Sequence, residues 1–124
     1  MFGLTLDTGA LIALERRRRR ALTLVTAARN NGQRITVPAP VVVEWWRGQV
    51  RAAAMLRAFD VEPLGNDLAR IAGSALARAA SGPSSTDAVV MASAAQRGDA
   101  VLTGDLEDFA RLQEVFPSVR LLRV

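Results

Sequence analysis

Cysteine, histidine, lysine and tyrosine are all missing from this sequence of 124 residues, and its sixteen basic residues are all arginine. Each absence closes off a chemistry. Without cysteine or histidine there is no zinc site of the usual kind, no disulfide framework and no Ser-His-Asp or Cys-His nucleophile. Without lysine there is no P-loop lysine, no Schiff base and no lysine general base. No apolar run approaches the roughly 20 residues that a membrane span needs. The opening MFGLTLDTGALIALE lacks a basic start and carries an acid at position 7, which does not read as a signal peptide. The expectation is a soluble, cytoplasmic chain. Its proton carriers and metal ligands, if it has any, are expected among only twelve carboxylates.

Half of the residues are hydrophobic and 23% are charged, which suits one compact domain over residues 1–124. The formal net charge of +4 is the footprint of a chain with a polyanionic partner, although an arginine bias also follows from a GC-rich genome. Short apolar runs alternate with helical stretches. FGLTL (2–6), RITVP (34–38), DVEPL (60–64), AVLT (100–103) and VRLLRV (119–124) read as strands or extended segments. Helices are predicted from Gly9 to about Arg17, about Arg19 to Arg29, behind Pro40, Arg51 to Phe59, and from a cap at Asn66 or Asp67 to about Ala80. SGPSST (81–86) reads as a loop before a helix from Asp87 to Gln96, and a last helix runs from Leu106 to Glu114. Strands separated by helices imply parallel pairing and an α/β sandwich.

On that plan Asp7 ends the first strand and Asp105 follows the AVLT strand, so both fall at the carboxyl edge of the sheet, where open α/β sheets form their sites. Asp87 opens a helix and Glu44 lies in the first turns of another, and both helix starts can approach that edge. Each acid also has a plain structural reading. Asp7 and Asp87 are good helix caps, and Asp105 with Asp108 would suit the start of the last helix. Glu44 is harder to explain away, because VVVEWW sets one carboxylate among five large apolar side chains. Four converging carboxylates with no intrinsic counter-ion repel one another, and a hard divalent cation, Mg²⁺ or Mn²⁺, answers that repulsion. Such a site suits metal-assisted attack of water on a phosphodiester.

LDTGALIAL (6–14), VPAPVVVEWWRG (37–48), DVEPLGNDLARIAG (60–73) and STDAVVMASAAQRGDAVLTGDLEDF (85–109) resemble, in order and spacing, the PIN-domain ribonucleases, and among them the VapC-type toxins of toxin–antitoxin pairs. The resemblance implies a PIN-like three-layer α/β/α sandwich with a parallel five-stranded sheet. It implies an acidic Mg²⁺ site, Mn²⁺ being possible, made of Asp7, Glu44, Asp87 and Asp105, with Asp108 as a secondary candidate and Thr8 and Thr103 supporting the ligands. It further implies an endoribonuclease with an RNA substrate, a cognate antitoxin and a homodimer. Gly9 departs from the family, which often has Ser or Asn there, and the arginine run 16–20 is longer than usual.

Arg16, Arg17 and Arg47 are candidate RNA contacts, since arginine suits bidentate phosphate binding. Five adjacent arginines, however, cannot all face one groove. Of Trp45 and Trp46, one is expected in the core and the other at an interface. Ala69, Gly73 and Ala77 form a stripe of small residues, read as core packing. The competing functional class is a non-catalytic, basic RNA- or protein-binding module of the same fold. A phosphoryl-accepting receiver or phosphatase built on Asp7 is disfavoured, because no lysine exists and Gly9 stands where a second acid would be needed.

Overall fold

The computed structural model describes residues 2–79 and 81–124. Five strands, β1 Leu4–Leu6, β2 Ile35–Pro38, β3 Asp60–Glu62, β4 Ala100–Thr103 and β5 Leu121–Arg123, form one sheet in the order β3-β2-β1-β4-β5. Every pairing is parallel. Among the described residues seven helices connect them: α1 Thr8–Glu15, α2 Arg19–Asn30, α3 Ala39–Trp45, α4 Ala52–Arg57, α5 Asn66–Arg78, α6 Ser85–Arg97 and α7 Leu106–Gln113. The three central strands β1, β2 and β4 are buried along their whole length. That is why LTL, ITVP and AVLT are near-continuous apolar and β-branched runs rather than alternating ones. The outer strands β3 and β5 carry exposed charge at Asp60 and Arg123, which discourages pairing with another chain.

Helices cover both faces, as the expected α/β/α sandwich requires. On one side α6 spans β1, β2 and β4, with α5 packed on it and α7 between it and β5; α2 lies against β2 and α4 against β3. Leu6, Leu11, Met91, Leu102, Phe109 and Leu112 fill the fully buried core. The chain runs from β1 outward to β2 and β3, then returns past β1 to β4 and β5. The strand order therefore reverses between β1 and β4, and the crevice beyond their carboxyl ends is where such sheets hold their sites.

Several local expectations need correction. Gly65, not Asn66 or Asp67, caps α5; both of those residues are already helical, and Asp67 places its charge in the first turn, where the helix dipole favours it. The predicted end at Ala80 lies outside the described residues, and α5 closes at Arg78. Helix α6 begins two residues before Asp87 because Ser84 supplies its cap. The stripe of Ala69, Gly73 and Ala77 is exposed, and α5 instead buries Leu68, Ala72 and Ala75. Trp45 is the core tryptophan and Trp46 the exposed one, at 4% and 40% exposure. The two rings meet edge-to-face with centroids 6.5 Å apart, and Trp45 Nε1 donates to Glu15 Oε1 at 3.1 Å.

Candidate active site

Asp7 follows the last residue of β1 and is the N-cap of α1, so one residue closes a buried strand and opens a helix. Its Oδ1 accepts from the Ala10 backbone N–H at 2.7 Å, and its Oδ2 accepts from the Thr103 hydroxyl at 2.5 Å. Thr103, the last residue of β4, also receives the Asp105 backbone N–H at 2.9 Å. A single hydroxyl thus ties the carboxyl ends of β1 and β4 together. Hydrogen bonds to a carboxylate favour its charged form, but burial outweighs them here and pushes Asp7 up to about 6, with the charge of Asp87 adding to the rise.

Asp87 sits at the third position of α6 in a capping box. The Ser84 hydroxyl accepts from the Asp87 N–H at 3.1 Å, while Asp87 Oδ2 accepts from the Ser84 N–H at 3.0 Å. Partial burial raises its pKa, and the charges of Asp108 and Glu44 raise it further against the hydrogen bonds to Ser84. Glu44 comes from α3 and is held by the Thr8 hydroxyl, which donates to its Oε1 at 2.6 Å. Asp105 caps α7, where its Oδ1 accepts from the Asp108 N–H at 3.3 Å. The pKa of Asp108 is raised by desolvation and by the Asp105 carboxylate.

Asp7, Glu44, Asp87, Asp105 and Asp108 therefore come from the starts of α1 and α7 and from α3 and α6, and feel one another at the edge where the strand order reverses. Among the described residues, none of Asp7, Glu44, Asp87 and Asp105 has an arginine within ion-pair distance. Uncompensated carboxylates of this kind suit a hard divalent cation. Their present side-chain positions are looser than a closed coordination shell: among the described residues, no three acids lie close enough to share one ion. The plain capping readings also hold for Asp7 and Asp105, which cap helices while lying at this edge.

Of the predicted RNA contacts, Arg47 folds back onto its own helix end, donating to the Val43 and Trp46 carbonyls at 3.1 and 2.6 Å. Arg17 lines a different recess from Arg16. Two features of the site escaped sequence reasoning. Ser84, which fixes Asp87, looked like one turn former among several in SGPSST. Gly9 and Gly104 bring the start of α1 against the turn after β4, and a Cβ on Gly9 would lie 3.1 Å from Gly104 Cα. Any side chain at position 9 would thus press on the Gly104 backbone.

A parallel sheet of this order with a cluster of acids at its reversal point defines the class of α/β domains with an acidic site at the sheet edge. The sequence matches the PIN domain over residues 4–115. This chain belongs to the PIN-domain family. Solved structures share the fold at low identity. VapBC2 of Rickettsia felis, bound to a DNA fragment from its promoter, superposes with a TM-score of 0.75 at 12% identity over 98% of each chain. A toxin–antitoxin complex from Klebsiella pneumoniae gives 0.73 at 20% identity, covering 94% of this chain and 95% of that one. DNA-bound VapBC of Salmonella typhimurium gives 0.72 at 18% identity, covering 99% and 98%. No curated protein matches the sequence.

Proposed function

We propose that this chain is a divalent-metal-dependent endoribonuclease acting as the toxin of a toxin–antitoxin pair in the cytoplasm. The observation that carries the reading is the group of uncompensated carboxylates at the β1/β4 edge of a PIN fold. Asp7, Glu44, Asp87 and Asp105 are the proposed Mg²⁺ or Mn²⁺ ligands, with Asp108 in reserve. A cation held by them would supply the positive charge that activates water and offsets charge on the phosphate. The protein's own part is positional. Thr103 holds Asp7 and the turn that carries Asp105, Thr8 holds Glu44, and the Ser84 capping box holds Asp87.

A cognate antitoxin and a second copy of the chain are the proposed partners, the first supported by the toxin–antitoxin complexes among the structural neighbours. A groove of about 570 Å³ lined by Leu14, Leu22, Val25, Val50, Met55 and Phe59 offers an apolar surface for such a partner. Val50 is 99% exposed there.

The test compares RNA cleavage by wild type and Asp87→Asn, each with Mg²⁺ and with EDTA. Cleavage is expected only from the wild type with Mg²⁺, and equal cleavage in all four conditions would sink the assignment. The alternative, a non-catalytic basic binding module, is separated by thermal melts with and without Mn²⁺. A chain with a metal site is stabilised by the ion, and a bare binding module is not.

A further inference from the structure

The five arginines between α1 and α2 are divided by one backbone feature. Helix α1 ends with the Arg17 N–H donating to the Leu14 carbonyl at 3.0 Å and the Arg18 N–H reaching back to the Ala13 carbonyl at 2.9 Å. This closure needs a left-handed residue, which is usually glycine, and here it is Arg17 at φ 55°. The reversal sends Arg17 to the apolar groove, beside Leu14 and Phe59. Arg16, Arg18, Arg19 and Arg20 instead line a recess of about 470 Å³ that also includes Gly9 and Val124.

Three properties of this recess point to one ligand chemistry. Among the described residues, none of these four arginines has an acid within 4 Å; the one anchor is the Arg20 Nε–H, which donates to the Arg123 carbonyl at 2.7 Å. Arg18 is the N-cap of α2 and provides no side-chain cap, and the first turn of α2 holds no acid, so the positive end of that helix adds to the guanidinium charge. The recess also adjoins the acidic site. Gly9 lines it, lies two residues after Asp7, and packs against Gly104 between Thr103 and Asp105. The recess and the acidic site therefore share the Gly9 wall.

We propose that Arg16, Arg18 and Arg19 form a phosphate clamp that holds the nucleic-acid backbone next to the phosphodiester at the acidic edge, with Arg20 fixing the wall of the recess through its bond to Arg123. Arginine forks match phosphate oxygens in pairs, and contacts of this kind position a strand without reading its bases. The substrate identity rests on the nuclease reading above, whereas the phosphate chemistry of the recess does not.

The experiment measures binding of a fluorescein-labelled single-stranded oligoribonucleotide by anisotropy, in EDTA, over a range of salt concentrations. Each phosphate contact adds about 0.7 to the slope of log affinity against log salt for a single strand. Arg16→Gln/Arg18→Gln/Arg19→Gln is expected to lower that slope by about 2 and affinity by about tenfold or more near 0.1 M salt. Arg57→Gln/Arg70→Gln/Arg78→Gln removes the same charge elsewhere and is expected to leave the slope unchanged. The same sequence as single-stranded DNA should lose the same slope, because the contacts are to phosphate.

An unchanged slope, an equal loss in the control triple, or a loss confined to RNA would each overturn the clamp. Should the triple variant melt several degrees low, the single Arg19→Gln, expected to lower the slope by about 0.7, decides instead. Cleavage with Mg²⁺ is scored separately. If the wild type cleaves but the slope does not move, only the clamp falls. If the slope moves but nothing is cleaved, only the nuclease reading falls.

Discussion

Asp7 is pulled two ways: hydrogen bonds from Thr103 and from the Ala10 and Gly104 backbone favour its carboxylate, while burial, with the charge of Asp87 adding to it, favours the protonated acid and prevails. The consequence for stability has a definite sign. In the unfolded chain this carboxyl titrates near 3.8 and in the folded chain near 6, so between those values the folded state holds a proton that the unfolded state releases. Raising the pH through that window therefore costs stability, and above about 6 the loss is complete. At about 1.4 kcal/mol per tenfold change in proton affinity, the loss is at most about 3 kcal/mol. Asp87, raised as well, acts in the same direction. Denaturant midpoints measured in EDTA should fall from pH 4 to pH 6 and then level off, and Asp7→Asn should flatten most of that fall. A wild-type midpoint that rises across the window would show that Asp7 does not govern it. At pH 7.5, Mg²⁺ should recover stability in the wild type and much less of it in Asp7→Asn, because the cation replaces the proton as the neutralising charge.

Between elements, the contact that matters most to the site is the meeting of α1 with the turn after β4. A Cβ on Gly9 would face the Gly104 backbone at 3.1 Å, whereas a Cβ on Gly73 in α5 would meet open space. The same chemical change should thus have opposite outcomes. Gly73→Ala is expected to stabilise by about 0.5–1 kcal/mol through helix propensity. Gly9→Ala should destabilise by about 1 kcal/mol, since the Gly104 backbone must move, and it should lower Mg²⁺-dependent cleavage because Asp105 moves with it. Urea midpoints and cleavage rates of the two variants check this, and a Gly9→Ala chain as stable and active as wild type would contradict it. The sequence made the elements readable because LTL, ITVP and AVLT are buried on both faces and the helices between them carry apolar stripes. It also made the acids at the strand ends readable, because a parallel sheet gathers its carboxyl ends on one edge. It did not reveal that Gly9 meets Gly104, or that Ser84 rather than Asp87 caps α6. Such features depend on sub-ångström approach and on which of several turn formers takes the extended cap conformation.

Across the whole molecule two groups of acids contrast. Among the described residues Asp7, Glu44, Asp87 and Asp105 at the carboxyl edge have no arginine partner, while Asp99 and Asp60, at the amino ends of β4 and β3, and Glu62 of β3 are each paired with arginine. Arg97 donates to Glu62 Oε2 at 2.6 Å, to Asp99 Oδ2 at 2.9 Å and to the Thr5 hydroxyl at 2.7 Å. Asp99 also accepts from the Thr5 hydroxyl and the Gly3 N–H, Ser93 donates to Glu62, and Arg34 pairs with Asp60 at 3.1 Å. This network joins β1, β3, α6 and the start of β4 across as many as 96 positions of sequence, and no local pattern announces it. Arg97 therefore does for one group of acids what a bound cation is proposed to do for the other. Arg97→Ala would leave the almost fully buried Asp99 without its counter-ion. Breaking a buried pair costs about 3–5 kcal/mol, and the partial exposure of Arg97 and Glu62 brings the expected loss to about 2–4 kcal/mol. If the two groups are independent, the stabilisation gained from Mg²⁺ should be the same in Arg97→Ala as in the wild type, because the carboxyl-edge acids are untouched. Thermal melts of both chains with and without Mg²⁺ separate the effects. A variant that keeps wild-type stability would remove the network's structural role, and one that loses its Mg²⁺ response would show the two groups to be coupled.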